Sequence, residues 1–382
     1  MPEGLSVSEV SSGRDLTGFV ELPYRLYAGD GDFVPPLRSE VRWMLDPAKN
    51  PFWRHARRTL FLARRGGRVV GRIAAIADDE HNRVHADRTA FFGFFECEND
   101  PEAARALFEA AEAAARKLLP GCDKLRGPVN PSMNDEVGFL LAAESEPGPP
   151  VLMMTYNPAY YLDLASAAGF AKEKDLVALL APVDDRSFAR LGRITDAVRR
   201  RNPELTFRTI RMEEFPKELA KVKVVYNGAW EQNWGFVPMT SEELDAMAKK
   251  LKDLVYPPIV WFVEKEDKPV AFMLGMPDFN QVLIRMGGRL LPFGWLKFLL
   301  GKKKVDRVRL LAFGVLPEYR RKGLDAVCYF EGYKAAIAAG FKTVEFSWIL
   351  EDNLDLLKPI EVFEGRVYRR YRLVSRTVPS GS

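Results

Sequence analysis

The sequence predicts an α/β protein of two domains with mixed, mostly antiparallel sheets flanked by helices, and three observations lead there. The chain has 382 residues, more than one ordinary core encloses. Hydrophobic residues make up 47% and charged residues 28%, the balance of a globular chain with a large core. One order of elements (helix, hairpin, strand, helix, strand, helix, strand) is legible twice.

The first pass opens with a helical stretch from Leu16 to Tyr27 and a Pro/Asp-rich segment from Asp30 to Asp46. Apolar runs at 59–63 and 68–77 flank Arg65-Gly66-Gly67 and read as a hairpin. Thr89 to Cys97 is the next strand. Pro101 to Leu119 is Ala-rich at helical spacing and opens on Pro-Glu, a good first turn. Lys124 to Val129 is a short strand, Pro158 to Gly169 a helix closed by glycine, and Asp175 to Pro182 a last strand.

A helix from Ser187 to Arg201 is stopped by Asn202-Pro203. This sets the expected organisation: a domain over 1–183, a helical linker over 184–203 and a second domain over 204–382. The second pass then has a strand at 205–211, helices at 215–230 and 241–254, and a hairpin from 259–263 and 270–275. A strand at 308–316, a helix at 324–339, a strand at 343–349, a helix at 354–363 and a strand at 368–374 follow.

Lys and Arg total 56 against 52 acids, and a net charge of +4 is too mild to imply nucleic acid. Cys97, Cys122 and Cys328 match no metal or redox spacing, and a reduced cytoplasmic compartment is expected. Met1-Pro2-Glu3 begins no signal peptide, and no run approaches the length of a membrane span. His81 and His85 have the spacing of a metal pair without the accompanying Glu. They are read as loop histidines, and no metal is expected.

The chemistry concentrates in Arg307 to Ala326. An apolar strand runs into a turn carrying Arg320, Arg321, Lys322 and Gly323, and a helix starts at Leu324. The first N–H groups of a helix lack intrahelical partners and its dipole favours negative charge. With glycine allowing close approach, this is an anion cradle suited to a diphosphate.

The segment resembles the acetyl-CoA signature of the GNAT superfamily, Arg/Gln-x-x-Gly-x-Gly/Ala, following a strand that splays at a bulge. The resemblance puts Arg320 and Gly323 at the first and fourth positions and gives the pyrophosphate to the amides from Arg321 through Lys322 and Gly323 to Leu324. It places Gly314 and Val315 where the family's strand pairs with pantetheine. Asp325 departs from the signature's sixth position. Asn353, at the end of the following strand, falls where the family often contacts cofactor. The whole chain resembles tandem-GNAT acyltransferases of the YghO-like type, related to ceramide-synthase-type N-acyltransferases. Two GNAT-like domains follow, with acyl-CoA as co-substrate and no permanently bound cofactor.

Alternation along 343–349 sets Val344, Phe346 and Trp348 on one face and Glu345 and Ser347 on the other. Glu345 reads as a paired structural acid or as a general base. The resemblance implies a tyrosine that protonates the departing thiolate; Tyr368 and Tyr371 both qualify, and Tyr371 is taken as the candidate. Trp230, Asn233 and Trp234 are an acceptor site or an aromatic plug. The first half has an acidic turn (Glu96, Glu98, Asp100, Glu102) where the second is basic, so CoA is expected in the second half alone. Loop 127–135 could serve the acceptor side or simply be surface.

Residues 290–304 pair apolar side chains with Lys302, Lys303 and Lys304. They read as an interfacial segment for anionic membrane, at the inner face, or as a buried arm of the core. The expected function is transfer of an acyl group to an amine, a sphingoid or other lipid-like amine among the candidates. The rivals are a small-molecule N-acetyltransferase, a Fem-like transferase using aminoacyl-tRNA, and a non-enzymatic membrane or partner-binding protein.

Overall fold

A computed structural model describes residues 4–184, 188–230, 233–361 and 363–379. The chain divides into two compact units. The first comprises Met1–Leu176, Asn280–Leu300 and Arg369–Ser382; the second comprises Val177–Phe279 and Gly301–Tyr368. Residues 280–300 and 369–382, assigned from sequence to the second domain, thus group with the first unit.

In the first unit β1 (Leu5–Glu9) leads to α1 (Gly13–Leu26) and α2 (Arg38–Leu45). The expected hairpin is β2 (Ala56–Arg65) with β3 (Arg68–Asp78). α3 (Asp79–His85) holds both histidines, so they lie on a short helix and not in a loop. His81 is fully buried against His85 and Phe91. β4 (Thr89–Cys97), α4 (Pro101–Leu118) and β5 (Lys124–Gly127) follow. Pro128, which has no N–H for a ladder, ends β5 short of the expected Val129. β6 (Val129–Asn130) then pairs with β7 (Glu136–Val137). β8 (Phe139–Leu140), α5 (Tyr160–Ala167) and the start of β9 (Ala171–Pro182) complete the run.

The strand order here is β1-β2-β3-β4-β5, with the last strand of the chain, β15 (Arg366–Thr377), beside β5. α4 lies on this sheet through Ala103, Ala104, Leu107, Phe108, Ala111, Ala114 and Ala115, a face recurring every three to four residues. Its alanines allow close approach, and Phe108 stacks on Phe95 at 4.7 Å.

The second unit contains α6 (Phe188–Arg201), β10 (Leu205–Thr209), α7 (Phe215–Ala229), α8 (Ser241–Leu251), β11 (Val260–Lys265) and β12 (Lys268–Pro277). Ser187, the expected start of α6, lies outside the described residues. Thr240 begins α8 with a capping box, trading hydrogen bonds with Glu243. The segment carrying α9 (Asn280–Leu283) and α10 (Gly294–Gly301) interrupts the unit before β13 (Arg307–Val315), α11 (Leu324–Ala338), β14 (Thr343–Leu350) and α12 (Leu354–Glu361). The strand order is β9-β14-β13-β12-β11-β10.

The two units repeat one motif. Each has an antiparallel hairpin, a third strand displaced by a bulge, a helix, and a fourth strand parallel to the third. The register shifts between Arg72 and Ala74 in one and between Leu274 and Gly275 in the other.

The 290–304 insertion is not a buried arm. Leu291 is 72% exposed, Phe293 68% and Leu300 68%, and Leu290, Trp295, Leu296 and Leu299 are also exposed, with Phe298 half-buried. Among the described residues no helix is long and apolar enough to cross a membrane.

Candidate active site

The site starts from a bulge. β13 pairs in parallel with β14 from Arg307↔Thr343 to Leu310↔Phe346, and there the paired register ends. One residue further, Leu311 is skipped in the ladder with β12, where Leu274 opposes Ala312 and Gly275 opposes Leu310. Beyond this point β13 follows β12 alone. Leu316 donates its N–H to Val270 O at 2.9 Å. Antiparallel ladders alternate, so Gly314 and Ala312 also bond toward β12. The N–H groups of Phe313 and Val315 therefore face the side that β14 has left. Backbone donors there can pair with an extended amide-bearing chain or polarise a carbonyl oxygen. Gly314 is needed for α7 to lie close: a Cβ would stand 3.0 Å from Ala229 Cβ.

After β13 comes the basic turn. Gly323, at φ +75°, is the N-cap of α11 and supplies no side chain to its free amides. Arg321 has φ +61°. Arg320, Arg321 and Lys322 are all exposed, in keeping with a phosphate rim. Arg320 also donates through Nη2 to Ala229 O at 2.7 Å, placing its cation at the C-terminus of α7. Leu324 is buried in the core, so only its backbone can face an anion. Burial pushes Asp325 above the usual carboxylate pKa, while the amides of Ala326 and Asp325 itself pull it back. The acid that departs from the family signature is half-buried in the first turn of α11, where the helix dipole favours an anion.

Glu345 is fully buried on β14, directly opposite Arg309 of β13. Ser347 Oγ donates to its Oε2 at 2.9 Å, Tyr368 OH to its Oε1 at 3.4 Å, and Arg309 Nε stands 3.8 Å from Oε2. Burial raises its pKa, and the Arg309 charge and the Ser347 bond work against that rise. The cluster sits where β13 and β14 part. A buried carboxyl group bonded to two hydroxyls is placed to exchange a proton with them.

The structure thus brings Glu345 and Tyr368 together. Tyr371 belongs to the first unit, fully buried and paired with Leu140 of β8. Asn353 is spent in part on α12, its Oδ1 accepting from Leu356 N at 3.3 Å. Trp230 packs edge-on against Tyr226 and Phe272, an aromatic plug at the end of α7. Asn233 bonds Trp230 O through its backbone N–H, and Trp234 is half-buried.

Sequence reasoning missed Arg309 and the Ser347–Glu345–Tyr368 contacts. The signal was present, since Ser347 shares a face with Glu345, but the β13–β14 register that supplies Arg309 is not readable from one strand.

The first unit has the same frame and fills it with itself. β6 lies against the bulge of β4: a Cβ on Gly93 would stand 1.8 Å from Val129 O, and Asn130 Oδ1 accepts from Phe94 N at 2.6 Å. Asp100 Oδ1 caps α4 by accepting from Ala103 N. The acids expected to repel a diphosphate are instead engaged internally. Glu96 accepts from Tyr27 OH at 2.9 Å and Tyr161 OH at 2.7 Å, and Glu98 pairs with Arg25 and Arg68.

Comparison with known proteins adds the following. No family model matches the chain. It is 33% identical over 373 residues to protein YghO of Escherichia coli (strain K12), spanning 96% of this chain and 93% of that protein. It is 33% identical over 386 aligned residues to the bacterial ceramide synthase of Caulobacter vibrioides, spanning 98% of each. Among solved structures, a tandem GNAT protein from the clavulanic acid biosynthesis pathway matches with TM-score 0.57 and 14% identity, covering 99% of this chain and 100% of that one. A GCN5-related N-acetyltransferase from Sphaerobacter thermophilus matches with TM-score 0.52 and 12% identity, covering 99% and 97%. The structural likenesses establish the tandem GNAT fold.

Proposed function

Because the chain belongs to the family that holds YghO and the bacterial ceramide synthase, we propose that it transfers an acyl group from acyl-CoA to an amine, and that the amine is lipid-like. The observation that carries the chemistry is the open frame of the second unit. Strands part at a bulge, amides face the gap, and an uncapped glycine-led helix follows a basic turn. The amides from Arg321 to Leu324 hold the pyrophosphate, with Arg320 and Lys322 at the rim. β13 pairs with pantetheine near Gly314, and the Val315 N–H polarises the thioester carbonyl. Asn353 keeps its amide NH2 for the pantetheine arm.

The uncharged amine attacks the carbonyl carbon, the C–N bond forms, and the C–S bond breaks. The amine proton passes toward Glu345, and Tyr368 returns a proton to the thiolate. Tyr368 takes this role in place of Tyr371 because its hydroxyl is on Glu345. Trp230, Asn233 and Trp234 border the acceptor side, with Trp230 fixing the wall.

The lipid reading rests on residues 285–300. Leu290, Leu291, Phe293, Trp295, Leu296, Leu299 and Leu300 are exposed in one stretch with the exposed cations Arg285, Arg289 and Lys297, and Lys302–Lys304 come next in the chain. A soluble surface rarely gathers so much apolar area. Exposed apolar side chains interleaved with cations fit an anionic bilayer, each lysine adding about 1 kcal/mol and screened by salt.

The test is a panel of acyl-CoAs from acetyl to palmitoyl with pooled soluble and sphingoid amines, beside liposome flotation. Long-chain transfer to a lipid amine is expected, with flotation on anionic but not neutral vesicles at low salt. Turnover of short acyl-CoAs with soluble amines alone, and no flotation, would replace this reading with a small-molecule N-acetyltransferase.

A further inference from the structure

We infer that α6 completes the acyl-CoA site, with Arg201 binding the ribose 3′-phosphate of CoA; this rests on the acyl-CoA reading of the second unit. Beside its diphosphate, CoA carries a separate phosphate monoester on the ribose. The turn at Arg320 to Gly323 provides for the first anion, and the second calls for a cation of its own.

Two contacts orient α6. Gly192 faces the Phe330 ring, with a Cβ 3.6 Å from Cε2 and Cζ, while Val198 Cγ2 would stand 2.8 Å from a Cβ on Gly323. Moving forward along α6 is therefore moving backward along α11, and the helices run antiparallel. Past Val198, the last turn of α6 reaches beyond the N-terminus of α11, on the side of the basic turn.

That last turn carries Arg199, Arg200 and Arg201. Arg199 is committed: Nη2 donates to Glu331 Oε1 at 2.8 Å and its guanidinium lies 4.7 Å from the centre of the Phe207 ring. Arg200 and Arg201 are exposed. A helix turns about 100° per residue, so Arg201 lies about 60° from Val198 and one turn on, whereas Arg200 points away by about 160°. Helical side chains lean toward their own N-terminus, a direction that points Arg201 back toward the turn that packs on Gly323. A planar guanidinium suits bidentate binding of a phosphate monoester.

The bland alternative is that Arg201 merely complements the dipole at the end of α6. The two differ in what they do to one ligand atom group. Calorimetry would compare CoA with 3′-dephospho-CoA on wild type, Arg201→Ala, Arg201→Lys and Arg200→Ala, with thermal unfolding to confirm that each is folded.

Wild type should prefer CoA. Arg201→Ala should lose about tenfold in affinity for CoA and nothing for 3′-dephospho-CoA, Arg201→Lys should recover part of the loss, and Arg200→Ala should match wild type. Equal weakening toward both ligands by Arg201→Ala, or no preference in wild type, overturns the assignment and leaves the acyl-CoA reading standing. Failure of wild type to bind either ligand overturns both. Should Arg201→Ala not fold, Arg201→Lys and the wild-type preference decide the matter.

Discussion

At Glu345, a carboxyl group is fully buried beside a serine, a tyrosine and an arginine, and its environment has consequences that pH can read. Burial raises its pKa above the ordinary 4.5. The folded protein therefore keeps this proton over a range in which the unfolded chain has released it. Stability from this group is lost as pH rises through that window, up to the folded pKa. Glu345→Gln should flatten the slope of unfolding free energy against pH above about 4.5, measured as the difference from wild type. An unchanged slope would mean that the group is ionised in the fold. In catalysis, Tyr368→Phe should lower kcat by roughly 10²-fold or more with little change in CoA affinity, while Tyr371→Phe should leave kcat near wild type. The reverse pattern would restore Tyr371. The sequence made both tyrosines visible; choosing between them required a hydrogen bond to a strand more than twenty positions away. Alternation exposed the Glu345–Ser347 face, but only pairing with β13 supplied Arg309.

The elements tell two versions of one story. β13 and β14 part after Leu310↔Phe346, whereas β4 and β5 part and the chain itself enters. Asn130 closes that second case by taking the Phe94 N–H at 2.6 Å. Asn130→Ala leaves the amide without this acceptor and should destabilise the protein by about 1–3 kcal/mol in denaturant unfolding, without adding a CoA site. A second binding event in that variant would show the first unit to be a masked site and not a structural one. The contrast between the turns was legible as acidic against basic. Its physical basis was not, because Glu96 and Glu98 are satisfied by side chains distant in sequence. The helices and hairpins themselves were readable from period and punctuation. Residues 290–300 were not, since an apolar run with a lysine end suits a buried arm and an exposed one equally, and only the fold shows these side chains exposed.

For the whole molecule, the repeat of one motif in two units was the strongest signal in the sequence, and the fold bears it out. The unit boundaries were less accessible. Residues 369–382 end the chain yet belong to the first unit, because β15 pairs with β5 from Val374↔Gly127 to Thr377↔Lys124. Such long-range pairing leaves no mark on local composition. The central claim is that the second unit's open frame binds an acyl-CoA and passes its acyl group to an amine. The most direct measurement is release of CoA thiol from acyl-CoA, with and without pooled amines, in wild type and in Gly323→Glu. Gly323 sits at φ +75° against Val198, so any side chain there is strained and an acid also repels the diphosphate. Amine-dependent release by wild type, lost in a Gly323→Glu protein that still folds, is the predicted result. No amine-dependent release with any chain length, or release that Gly323→Glu leaves intact, would contradict it.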